Sequence, residues 1–137
     1  IDPGKSGAFA IVNEQGRDVS CVKADEPPSE IATWLCEFEI EFAMLEKVAS
    51  SPQQGRVSVF TFGASYGMCQ GLLGGLKIPF EFVTPAKWQG AMKCRSGGDK
   101  NVTKAAAQRL FPDVKVTHAN ADALLLTEYA RRTRSGD

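Results

Sequence analysis

The sequence predicts an α/β domain with a mixed five-stranded sheet: a three-stranded antiparallel meander, two parallel strands, and flanking helices. Three observations predict it. Apolar residues alternate with a period of two in "AFAIVN" and "VSCVK" near the start. Two later apolar runs, "FAMLEKV" and "FEFV", are separated by segments with helical spacing. The length, 137 residues, suits one domain that buries roughly 70% of its unfolded surface.

Each element follows from its residues. The first strand ends at Asp2 in "IDPGKSGAFAIV", where a Pro-Gly turn and Gly7 leave room beside a carboxylate. The chain opens on Ile1 rather than Met, so most of that strand is expected to precede it. Residues 8–13 and 19–23 continue the meander around a turn at Gly16. In "EPPSEIATWLCEFE", prolines and Ser29 start a helix whose Ile31, Trp34, Leu35 and Phe38 share a face. "FAMLEKV" follows that helix and so pairs in parallel, ending in Glu46. A polar loop, "ASSPQQG", leads into a long helix over 56–76. Its Val59, Phe62, Tyr66, Cys69, Leu73 and Leu76 form a contact seam, and five glycines in it suggest close approach to another helix or the sheet. After "FEFV", Thr84-Pro85 opens a short helix, "KCRSGGDKN" is a basic loop, and helices follow over 101–111 and 118–132.

Net charge is zero, but it is split. Residues 1–68 carry five Lys/Arg against ten Asp/Glu, and residues 69–137 carry eleven against six. A basic lobe beside an acidic pocket suits an enzyme that grips a polyanion and binds cations, although two ordinary solvated faces give the same tally. No apolar run reaches the roughly 20 residues of a membrane span. Cys21, Cys36, Cys69 and Cys94 form no CxxC pair, so they read as reduced thiols of a cytoplasmic protein, in a bacterial cell if phage-encoded, or of an organelle.

Three acids stand out. Asp2 and Glu46 end strands that can lie side by side, and Asp122 opens the last helix among Ala123, Leu124, Leu125 and Leu126. An acid in such an apolar stretch is costly without a partner. Three converging carboxylates repel unless cations hold them, and all-oxygen ligands suit Mg²⁺ or Mn²⁺. Two such ions about 4 Å apart activate water and stabilise the leaving oxygen in phosphodiester cleavage. His118, four residues before Asp122, is placed on the same helix face as a ligand or proton carrier.

Read together, these pieces resemble RuvC-type Holliday-junction resolvases, especially the short phage and organellar forms. The matching stretches are "IDPGKSGA", "LEKV", "PQQGRVSVFTFGASYG", "IPFEFVTPAKWQGAM", "LFPD" and "ADALLL", in the family's order along nearly the whole chain. The resemblance implies a single ribonuclease H-like nuclease domain over 1–137, a homodimer, and metal-dependent nicking of symmetric strands at a four-way DNA junction. It carries the acids onto Asp2, Glu46 and Asp122, with His118 as the fourth site residue. "DVKVTHAN" departs from close relatives: Thr117 stands where they have Asp, and Ala119-Asn120 where they have Gly-Arg.

Two other functions fit parts of the sequence. A junction-binding protein without activity fits the altered stretch before Asp122. An α/β-hydrolase esterase fits "GASYG", a G-x-S-x-G match around Ser65, if a strand precedes the serine. For DNA contacts, Arg56, Phe60 and Phe62 start the long helix, where an exposed ring can stack on an unpaired base, or the rings can instead fill the core or a dimer seam. Lys87, Lys93, Lys100 and Lys104 are the candidate phosphate contacts.

Overall fold

The computed structural model describes residues 1–48 and 53–136; the start of the polar loop, Ala49 to Pro52, and Asp137 lie outside the described residues. Strand β1 (Ala8–Val12) pairs antiparallel with β2 (Val19–Lys23), from Ala8 against Lys23 to Val12 against Val19. Strand β3 (Ala43–Glu46) pairs in parallel with β4 (Phe80–Val83), ending with Glu46 against Val83. The helices are α1 (Pro28–Leu35), α2 (Arg56–Gly75), α3 (Pro85–Ala91), α4 (Lys100–Leu110) and α5 (Ala121–Ser135).

The expected five-stranded sheet is corrected to two sheets of two strands. Between β1 and β3, Ile1 and Asp2 make an isolated bridge and no ladder. Asp2 exchanges two backbone hydrogen bonds with Ala8, both 2.9 Å, and Ile1 takes a 3.0 Å bond from the Glu46 N–H while its amino group donates 2.7 Å to the Met44 carbonyl. The two sheets are thus tied together at the point where Asp2 and Glu46 emerge.

Alternation on the strands builds a core on each side. Phe9 and Ile11 of β1 and Leu45 of β3 face α1 and α2, meeting Ile31, Leu35, Cys69 and Leu73. Ala10 and Val12 with Met44 face the other way, toward α3, α4 and α5, meeting Trp88, Ala107, Leu124 and Leu125. Helix α5 packs on both β1 and β3.

The seam of α2 is half realised. Cys69 and Leu73 are buried, but a Cβ at Gly63, Gly67, Gly71, Gly74 or Gly75 would meet nothing within 4 Å. The expected close approach to another helix or the sheet does not occur among the described residues, and the glycine face of α2 is open there.

Candidate functional site

The loop "DPGKSG" holds Asp2 in place through its glycines. Gly4 has φ +110°, and its N–H donates 2.9 Å to the Ser65 hydroxyl on α2. Gly7 donates to the Gly4 carbonyl at 3.0 Å, and a Cβ there would lie 2.0 Å from the Asp2 carbonyl oxygen. No side chain fits at that distance, so the turn that presents Asp2 requires glycine.

Glu46 closes β3 with its side chain buried. Its Oε2 accepts a 2.7 Å hydrogen bond from the Trp88 indole N–H, and Trp88 itself is fully buried on α3. Asp122 is half-buried in the first turn of α5, where the helix dipole favours an anion. Three elements distant in sequence therefore supply one acid each.

The acids feel one another. Burial, then the charges of Glu46 and Asp122, push the Asp2 carboxyl up from an ordinary 3.8 to about 7. Lys100, at the start of α4, opposes that rise. Burial also raises Glu46; the Trp88 hydrogen bond works against it, and the charge of Asp122 adds to it.

A divalent cation suits this donor set in chemistry: hard carboxylate oxygens, of which those of Asp2 and Glu46 are pushed up by burial and by neighbouring acids. Among the described residues no group of three His, Cys, Asp or Glu side chains comes together closely enough to hold one ion. Mg²⁺ needs no such cage, since it is commonly bound through one or two carboxylates with water and substrate phosphate completing its shell. The residues fit an ion shared with a substrate better than one held by protein alone.

His118 does not share a helix with Asp122. Helix α5 begins at Ala121, three residues later than expected, because Thr117 and Asn120 fold the chain into a turn. The Thr117 N–H donates 2.8 Å to Asn120 Oδ1, and the Asn120 N–H donates 3.2 Å to Thr117 Oγ1. His118 stands exposed in that turn. Ser65 lies inside α2 with no strand before it and accepts from Gly4, so the hydrolase elbow is absent.

The DNA candidates divide. Phe60 is 80% exposed on the first turns of α2, as is its neighbour Val57, and Arg56 is exposed beside them. Phe62 is half-buried with its ring against Gly4, which makes it part of the Asp2 loop's support. Lys87, Lys93 and Lys100 are exposed and Lys104 is half-buried. Sequence reasoning missed the partnership of Trp88 with Glu46. Forty-two positions separate them, and no local pattern links them.

The fold itself is known. Superposed on solved structures, the chain matches Thermus thermophilus RuvC in complex with a Holliday junction substrate, with TM-score 0.66, 16% identity, and 99% of this chain and 94% of that one covered. It matches a second Thermus thermophilus RuvC structure with TM-score 0.65, 18% identity and the same coverage.

The chain has the RuvC fold.

The likeness spans almost both whole chains, and at this level of identity it is a likeness of fold. No protein-family model matches the sequence, and no curated protein does. Ile1 bonds to β3 and Asp2 to β1, which sets Asp2 beside the strand that Glu46 closes. No helix among the described residues is long and apolar enough to cross a membrane.

Proposed function

We propose that the protein is a divalent-metal-dependent endonuclease that resolves four-way DNA junctions, nicking two symmetric strands as a homodimer. One observation carries the reading: in a RuvC fold, the charge of Asp122 raises the carboxyls of both Asp2 and Glu46, and the charge of Glu46 raises Asp2, so acids from distant parts of the chain share one site. A surface with no cationic ligand has little reason to gather buried acids.

The two expected ions, Mg²⁺ or Mn²⁺, would be held by Asp2, Glu46 and Asp122. When bound, such ions polarise the attacking water and offset charge on the leaving oxygen. The chain's own residues do the rest. Trp88 fixes one oxygen of Glu46. Ser65 and the glycines of the first loop fix Asp2. His118, exposed and one turn ahead of α5, is assigned the proton that must leave the water or reach the departing oxygen. Arg56 and Phe60 meet the DNA, the ring stacking on an unpaired base at the crossover, while Lys87, Lys93, Lys100 and Lys104 meet phosphates.

The homodimer rests on the open glycine face of α2, where a second helix can approach closely. A symmetric pair of cuts needs two sites. A binder of junctions without activity is the second reading, favoured by the absence of a close three-ligand cluster among the described residues. Cleavage of a synthetic four-way junction in Mg²⁺ or Mn²⁺, with linear duplex as control, separates the two: the endonuclease makes paired nicks in the junction, and the inactive binder only retards it.

A further inference from the structure

A cleft of about 560 Å³ opens beside Asp122, between α3 and the turn that leads into α4. Pro85, Ala86 and Gln89 form one wall; Arg95, Lys100 and Thr103 face them. Asp122 is the single acid of the lining, set against two cations. The cleft is electrically connected to the acids, because the Lys100 charge reaches Asp2. Gly97 and Gly98, at φ +59° and +91°, let the chain double back and bring Arg95 and Lys100 to the same opening.

Arg95 is the unusual member. It is exposed and has no carboxylate partner among the described residues. Its guanidinium lies across Gly90 of α3, so closely that a Cβ on Gly90 would stand 2.8 Å from Nη2 and 3.4 Å from Cζ. A planar fork of donors, unpaired and seated at the mouth of a cleft that leads to an acid site, matches the geometry of a phosphodiester.

We propose that this cleft seats a backbone phosphate of the DNA strand being cut, and that Arg95, resting on Gly90, is the residue that fixes it. The inference rests on the endonuclease reading and adds to it a strand path, from the α3–α4 cleft past Asp122 to Asp2 and Glu46. Arg95 is a substrate-contact residue here, distinct from the lysines that supply general attraction.

Two substitutions separate contact from charge. Arg95→Ala removes the fork from an exposed side chain, so the fold should remain, as thermal unfolding would verify. Gly90→Ala keeps the charge but pushes the guanidinium off its seat, while alanine is the better residue for α3. The probe is a fluorescent four-way junction, with affinity measured over a salt series without metal and single-turnover cleavage measured with Mg²⁺. Arg95→Ala should bind about tenfold more weakly, as expected for one charge-assisted contact, and the salt slope should fall by about one. Gly90→Ala should keep the wild-type salt slope but cut several-fold more slowly. A wild type that cuts while Arg95→Ala binds and cuts like it, with an unchanged salt slope, would overturn the inference alone. A wild type that neither binds nor cuts the junction would overturn the endonuclease reading and this inference with it.

Discussion

The indole N–H of Trp88 donates a 2.7 Å hydrogen bond to Oε2 of Glu46, and both side chains are buried. This bond joins α3 to the end of β3. It gives a buried carboxylate the donor it needs, and it fixes which of its oxygens stays free.

Trp88→Phe should therefore act on stability and on the site together. It keeps most of the ring's packing and leaves Glu46 without its donor, at a cost of about 1–3 kcal/mol. The hydrogen bond lowers the Glu46 pKa, so its loss raises that pKa further. The penalty falls on the ionised form, and the destabilisation should be larger at pH 8 than at pH 5. Urea unfolding of both proteins at the two pH values measures this; equal losses at both would contradict it.

Asp2 makes the metal-free protein sensitive to pH. Its carboxyl titrates at about 7 in the folded chain against an ordinary 3.8, so the folded state binds the proton more tightly than the unfolded state. The stability this contributes is complete below about 3.8 and is lost as pH rises through about 7. Asp2→Asn should flatten that decline. Mg²⁺, which binds the ionised acids, should raise the melting temperature more at pH 8 than at pH 5. Melting curves at both pH values, with and without Mg²⁺, give the comparison.

Glycines in two places should behave oppositely. Gly7→Ala puts a Cβ 2.0 Å from the Asp2 carbonyl oxygen, with backbone on both sides of the clash, so it should abolish folding or displace Asp2. A Cβ at Gly67 meets nothing within 4 Å among the described residues, so with Gly67→Leu the monomer should remain folded and the effect should fall on the proposed dimer. Light scattering at tens of micromolar, a concentration range where such association is commonly read, should show a wild-type dimer and a Gly67→Leu monomer. A monomeric wild type would remove the dimer from the proposal.

His118→Ala should bind junctions normally and cut them about 10²–10⁴-fold more slowly, the usual loss of an acid–base group. Its exposed position in the turn before α5 makes a folding defect a poor explanation for such a loss. Single-turnover cleavage within twofold of wild type would leave the three acids as the whole site.

Local pattern made most elements legible. The period-two runs became β1 and β2 within a residue, "FEFV" became β4, and the spacing of Cys69 and Leu73 marked the buried face of α2. Contacts between distant segments were not legible in this way. The two pairs of strands are joined through the bridge of Asp2 to Ala8 and the bonds of Ile1 to β3, pairings that periodicity does not show. Helix α5 starts late because the Thr117–Asn120 turn competes with helix; that T-x-x-N signal was present in the sequence. The glycines of α2 announced close approach, whereas a Cβ at any of them meets nothing within 4 Å among the described residues. The three acids were visible as acids at strand and helix ends, whereas the supports of two of them, Trp88 for Glu46 and Ser65 for the Asp2 loop, depend on tertiary placement alone.

The central claim is that Asp2, Glu46 and Asp122 form a metal-dependent cutting site for four-way junctions. The measurement that tests it most directly is denaturing-gel analysis of an end-labelled junction incubated with Mg²⁺, for wild type and Asp2→Asn. The account predicts paired, symmetric nicks by wild type that vanish in chelator, little cutting of linear duplex, and an Asp2→Asn protein that binds the junction without nicking it. Nicking by Asp2→Asn at the wild-type rate, or a wild type that binds the junction and never cuts it, would contradict the account.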